Sequence, residues 1–288
     1  MNTSSSPADL YCVIGNPVAH SRSPWIHARF AELTGQALHY ERLLVPLGSF
    51  TDGLRGFISR GGRGCNVTVP FKFEAAAMAQ HLSPRAMLAQ AANTLSMHAD
   101  GIHADNTDGA GLVADIEHNA GVRIVRRNVL LIGAGGAAAG VLGPLLSAGP
   151  AQLTVVNRTH QRAADLVERH ADWARIQQVP LRAVEVGALQ QDFDIVVNAT
   201  ASSLAGGDIP VPAHVLRPGA LALDMMYGPA AQGFLDWARA HGATPRDGLG
   251  MLVEQAAESF HIWRGVRPPS AQVLAELRAL LPQPSTPA

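Results

Sequence analysis

Lysine is all but missing from this sequence: of 22 basic residues, 21 are arginine and the single exception is Lys72. Cysteine is nearly as scarce. Cys12 and Cys65 alone rule out a disulfide scaffold and fit a reducing compartment, so a cytoplasmic location is expected. Neither sign of charge is in excess. The net charge of −1 excludes the basic footprint of a nucleic-acid binder. No apolar run reaches the about 18 residues of a membrane span. The opening MNTSSSPAD also lacks the basic and apolar regions of a secretory signal. What the 288 residues do contain is 47% hydrophobic side chains, enough to fill the cores of two ordinary domains.

Residues 1–9 are polar and serine-rich, which predicts a disordered tail. Short apolar runs at 10–15, 39–45, 65–69 and around 94–97 predict strands, with helices over about 25–33, 50–59, 73–81 and 83–90. A helical stretch, 109–121, then leads to near-continuous apolar runs at 129–132, 153–157, 193–199 and 220–227. Runs of that kind, separated by helices, predict parallel strands covered on both faces. The expected fold is therefore α/β in two domains separated by a cleft. An α/β substrate domain spans 10–108, a Rossmann-like domain spans 109–247, and helices in 248–288 rejoin the first.

The run at 129–132 feeds directly into Gly133-Ala134-Gly135-Gly136-Ala137-Ala138. This is a G-x-G-x-x-A turn, in which glycines let backbone amides approach a pyrophosphate at a positive helix end. A dinucleotide site for NAD ends its next strand with a carboxylate about 20 residues on, where it grips a ribose hydroxyl. Here Asn157, Arg158 and Thr159 stand at that place, with Arg162 a turn further. Cations and a hydroxyl suit a 2′-phosphate, so NADP is the expected cofactor.

Three polar islands lie in the first 110 residues. Ser21-Arg22-Ser23-Pro24 reads as a helix start with Ser23 at the cap, and its two hydroxyls could also hold a carboxylate. In the second, Asn66 and Thr68 share a strand face ahead of Pro70 and Lys72. Lys72 precedes a helix, where a cation gains nothing from the dipole, and an ammonium can carry a proton as a guanidinium cannot. The third, Asp105-Asn106-Thr107-Asp108-Gly109, reads as a helix start, with Asn and Thr as capping residues and Asp suited to the first turn. Yet it places two carboxylates within one turn, so that one is free for another task; Asn93 and Thr94 lie just upstream. None of the twelve histidines falls in a compact ligand spacing, so no metal site is expected.

The series GNPVAHSRSP, NVTVPFK, ANTL, DNTDG, GAGGAA, NRTHQRA, NAT, DMMYGP and DGLGMLVEQA resembles the shikimate dehydrogenase family, in order and over nearly the whole chain. The resemblance implies reversible NADPH-dependent reduction of 3-dehydroshikimate to shikimate, a step of aromatic amino-acid biosynthesis. It implies that Lys72 and Asp108 are the catalytic pair and also contact substrate. Ser21, Ser23, Thr68, Asn93 and Gln255 would hold the substrate, with Tyr227 nearby. Gly133, Ala134, Gly135, Gly136, Ala137, Asn157, Arg158, Thr159, Arg162, Met225 and Gly248 would line the NADP site. The partner implied is a small molecule, with no nucleic acid or membrane, and relatives include monomers and homodimers. Alternatives left open are a broader quinate/shikimate dehydrogenase and a non-catalytic NADP(H)-binding sensor.

Overall fold

A computed structural model describes residues 8–200 and 209–281. The first sheet is built from β1 (Asp9–Gly15), β2 (Leu38–Leu44), β3 (Gly62–Val67), β4 (His81–Leu82), β5 (Thr94–His98) and β6 (Gly101–Asp105), in the order β2-β1-β3-β5-β6-β4. Strands β2, β1 and β3 run parallel, whereas β5 pairs antiparallel with both β3 and β6. Helices α1 (Ser23–Thr34), α2 (Phe50–Ser59), α3 (Lys72–Met78) and α4 (Pro84–Ala89) join these strands. Helix α2 shows the sequence logic plainly: Phe50, Leu54 and Phe57 recur at helical spacing and are all buried beneath it.

Helix α5 (Asp108–Ala114), extended by a π turn at Asp115–Asn119, carries the chain across to a second sheet. That sheet comprises β7 (Asn128–Ile132), β8 (Gln152–Val156), β9 (Leu181–Ala183), β10 (Phe193–Asn198), β11 (Leu216–Asp224) and β12 (Thr244–Arg246). Its order is β12-β11-β10-β7-β8-β9 and every pairing is parallel, the doubly wound pattern of dinucleotide-binding folds. Helices α6 (Gly136–Ser147), α7 (His160–Ile176) and α8 (Gln232–Ala240) cover its faces. Finally α9 (Leu249–Arg264) and α10 (Ser270–Leu280) pack against α1 of the first unit, where Ile26 and Phe30 share a core with Val253, Phe260 and Leu274. The two-domain α/β architecture is thus observed.

Several boundaries differ from the sequence reading. The expected tail stops short of residue 9: Asp9 is already in β1 and accepts a hydrogen bond from Arg264, while residues 1–7 lie outside the described ones. The strand expected over 65–69 ends at Val67, because the chain turns at Thr68, whose carbonyl accepts from Phe71 N at 3.1 Å. The strand expected over 220–227 ends at Asp224, whose carboxylate caps the turn by accepting from Met226 N at 2.8 Å. Helix α3 stops at Met78, since Gln80 N leaves it to donate to Ile102 O at 3.0 Å. Ser23 is not the cap of α1 but its first residue, and Arg22 holds the cap position without a side-chain bond.

Candidate active site

The first residues of two helices meet. Lys72 opens α3 and Asp108 opens α5, and the Lys72 Nζ donates to Asp108 Oδ2. Their side chains are only 13% and 7% exposed. The other Asp108 oxygen accepts from Asn93 Nδ2 at 2.8 Å, and that amide also lies 3.2 Å from Gln255 Oε1 on α9. Thr107 N donates to Asn93 Oδ1 at 2.8 Å, so the Asn93 amide is held at both ends. Behind it runs a buried chain of polar contacts. Tyr40 Oη donates to Asn66 Oδ1 at 2.7 Å, Asn66 Nδ2 reaches Ser259 Oγ at 3.0 Å, and Ser259 lies 3.1 Å from Thr107 Oγ1. A fully satisfied network of this kind fixes side-chain orientation at low local dielectric. Asn66, although it stood in a promising island, serves here as a support for Asn93.

The paired carboxylates of the third island part company. Asp105 takes a bidentate contact from Arg85 at 2.6 and 2.9 Å, and Arg85 also reaches Glu258 at 3.0 Å. Asp105 is consumed by this anchorage, which leaves Asp108 for Lys72.

Around the loop after β1, Ser23 N and Ser23 Oγ lie 3.3 and 3.2 Å from Ser21 Oγ. Arg42 Nη2 donates to Ser21 O at 2.7 Å and holds that loop. Thr68 packs on Gly15, where an added Cβ would come within 2.4 Å of its methyl. Tyr227 is brought to the same loop: burial pushes its hydroxyl pKa up, while the main chain of Arg22 pulls it back.

The glycine turn sits at the reversal point of the second sheet, between β7 and β10. Gly133 has φ +114°, and an added Cβ would lie 3.1 Å from Ala199 O, so both conformation and space demand glycine there. Gly135 caps α6 and has nothing within 4 Å of its missing side chain. A cavity of about 610 Å³ lies against it, lined by Phe73, Ala134, Gly135, Arg162, Asp165, Glu168 and Arg169. Ala137 lies in the first turn of α6. Asn157 Nδ2 donates to Thr159 O at 2.9 Å, at the start of α7. Arg158 and Thr159 are exposed there and do not line the cavity. Among the described residues neither Arg158 nor Arg162 has a carboxylate ion-pair partner, which leaves Arg162 as an unpaired cation in the cavity beside the glycine turn and Arg158 exposed just ahead of α7. That donor set fits a dinucleotide with an extra phosphate. Met225 and Gly248 touch each other: Gly248 N donates to Met226 O at 2.8 Å, and a Cβ at 248 would come within 2.3 Å of Met225 O.

The two halves also touch at the site itself. A Cβ on Gly136 would lie 3.5 Å from the Phe73 ring and 3.7 Å from Lys72 Cβ. The start of α3 therefore abuts the start of α6, and Lys72 stands beside the glycine turn.

Phe73 and Ser259 lie outside the sequence candidates, and Asn106 stands in the third island without a role of its own. Asn106 donates to Ala91 O at 2.9 Å and fills the space over Gly140. Ser259 had a signal, since it stands one helical turn after Gln255 and so shares its face.

Comparison with known proteins accords with this geometry. Residues 13–95 match the family model described as shikimate dehydrogenase substrate binding domain, 116–205 match shikimate / quinate 5-dehydrogenase, and 248–278 match the shikimate 5′-dehydrogenase C-terminal domain. A shikimate dehydrogenase (NADP(+)) of Paracidovorax citrulli is 67% identical over 98% of this chain and 100% of its own. Among solved structures, an Ael1 enzyme from Pseudomonas putida is 45% identical with a TM-score of 0.85, covering 94% of this chain and 98% of that one. A Thermus thermophilus shikimate 5-dehydrogenase in complex with NADP(H) and shikimate is 32% identical with a TM-score of 0.82, covering 95% of this chain and 100% of that one.

Proposed function

The chain belongs to the shikimate dehydrogenase family, and on that premise we propose that Lys72 and Asp108 carry the proton chemistry of its reaction. It is an NADP-dependent oxidoreductase that interconverts 3-dehydroshikimate and shikimate. When bound, the nicotinamide supplies or takes the hydride; the protein orients two rings and manages one proton.

The observation that carries the reading is the buried Lys72–Asp108 pair beside Gly136. Lys72 Nζ donates the proton to the oxygen of the reduced carbonyl and takes it back in the reverse direction. Asp108 holds the ammonium in place and, through its position, accepts from a substrate hydroxyl. Asn93 and Gln255 act beside it as hydrogen-bonding walls. Ser21, Ser23 and Thr68 bind the substrate carboxylate near Tyr227. The backbone of residues 133–137 receives the pyrophosphate and Arg162, with Arg158, Thr159 and Asn157, receives the 2′-phosphate. Met225 and Gly248, packed on each other, would line the same NADP site.

Shikimate and quinate offered with each cofactor test this directly. The expected result is strong turnover of shikimate with NADP and weak turnover with NAD. Comparable rates with quinate would favour the broader dehydrogenase, a breadth that the description of the matching central model includes. Binding of NADPH without any oxidation of shikimate would overturn the catalytic reading.

A further inference from the structure

We propose that His81, Asp100 and His103 form a binding site for one late first-row divalent transition ion, with Zn²⁺ as the representative, at the β4 edge of the first sheet. The histidines have no compact spacing in sequence; the sheet creates one. Strand β4 pairs parallel with β6 so that His81 stands opposite His103. Asp100 sits in the tight turn that pairs His98 with Gly101 between β5 and β6. The Gln80 side chain, just ahead of β4, ties that strand to β6 by accepting from Ile102 N at 2.7 Å.

One ligand atom from each of the three residues lies within 4.8 Å of the others. His103 Nε2 is 3.0 Å from Asp100 Oδ1, and His81 Nε2 is 3.4 Å from Asp100 Oδ2. A tetrahedral ion with bonds of about 2.0–2.1 Å holds its ligand atoms roughly 3.4 Å apart, so only small side-chain adjustments are required. The His81 and His103 rings are tilted at 45° with centroids 4.4 Å apart, a mutual arrangement that lets two nitrogens converge. The His98 ring packs on the other side of His103 at 4.2 Å and restricts its rotation. Two imidazoles and one carboxylate favour Zn²⁺, Ni²⁺ or Cu²⁺ over Mg²⁺ or Ca²⁺, which prefer all-oxygen shells. The ligands are exposed enough for the ion to enter from solvent and keep water in its remaining position.

This site lies at the start of β6, whereas Asp105 at its other end leads toward Asp108, so the ion would clamp β4 to β6 without entering the proposed catalytic machinery.

The test uses untagged full-length protein stripped with chelator and titrated with Zn²⁺ by calorimetry. One equivalent should bind, and His81→Ala or His103→Ala should each weaken it by roughly tenfold or more. Substitution with Co²⁺ should give the visible absorption of a low-coordinate nitrogen–oxygen site, lost in the double alanine variant. Saturating Zn²⁺ should raise the Tm of the wild type and leave that of the double variant unchanged. Metal-free shikimate oxidation should be equal in all variants, which reports an intact fold. No binding by the wild type, or binding indifferent to both substitutions, would overturn the proposal.

Discussion

At the scale of single residues the arginine bias changes how Lys72 reads. A surface cation in this chain is an arginine; the one lysine is largely buried, against Asp108 and beside the glycine turn. A guanidinium holds charge but does not give up its proton, whereas an ammonium does both. Lys72→Ala is expected to lower kcat by about 10²- to 10⁴-fold with a smaller change in KM for shikimate. Lys72→Arg separates the two roles: turnover should stay low if the proton is what matters, and a fully active variant would show that charge suffices. Steady-state rates for the three proteins decide it. Arg162 supports a second prediction at this scale. It lines the cavity beside Gly135 without a carboxylate ion-pair partner among the described residues. Arg162→Ala should weaken NADPH by roughly 10- to 100-fold, the loss of one charge-assisted phosphate contact, while NADH is little affected. A parallel loss for both cofactors, measured by fluorescence titration, would remove Arg162 from the phosphate site.

Between elements, the crossing of α5 on α9 is what holds Asp108 and Gln255 together, and it depends on a missing side chain. A Cβ on Gly111 would lie 2.6 Å from Gln255 N and 2.8 Å from Met251 O, both backbone atoms that cannot turn aside. Gly111→Ala must therefore push the helices apart, at an expected cost of about 1–3 kcal/mol. Thermal melting should show a Tm lower by several degrees, and displacement of Gln255 should raise KM for shikimate. An unchanged Tm would mean that the crossing is looser than its distances suggest. The same crossing shows how far the sequence could be read. The interior strands β7, β8 and β10 were legible because burial on both faces demands continuous apolar runs. The glycine turn was legible because the backbone conformation at Gly133 excludes other residues. Strands β4, β9 and β12 were not, since two or three residues at a sheet edge carry no period and exist only through pairing. Most of the polar residues around Lys72 were visible as islands, but spacing could not say that Asp105 would go to Arg85 and Asp108 to Lys72. Periodicity names the face a residue occupies; it does not name the face that meets it. The histidine cluster at the edge of the first sheet was hidden for the same reason.

For the molecule as a whole, two buried histidines set the response to acid. The His27 ring is fully buried, stacks on Tyr40 at 4.3 Å, and has no hydrogen-bond partner at either nitrogen among the described residues. Burial pushes its pKa down to about 3, opposed by the neighbouring Asn66 side chain. His170 is also buried and is pushed down to about 4, again by burial first, with the Leu166 carbonyl opposing and Arg169 assisting. In the unfolded chain both titrate near about 6.5. Below that pH the unfolded state takes up protons that the folded state refuses, so the neutral rings favour folding above it and acid draws the balance toward unfolding. With both rings neutral in the fold and protonated outside it, the loss approaches about 2.7 kcal/mol per pH unit. A net stability of about 5–15 kcal/mol cannot survive many units of that slope. Carboxylates enter later: Glu276, held down to about 2 by Arg29, begins to matter only below its ordinary range near about 4.3. The interval from pH 6.5 to 5 therefore reports the histidines nearly alone. Urea midpoints should hold steady from pH 8 to 7 and fall progressively from 6.5 to 5. His27→Phe, which keeps a flat ring on Tyr40 and removes the titration, should show about half the wild-type slope over that interval. A midpoint that does not move between pH 6.5 and 5 would mean that both rings find protons, or water, inside the fold.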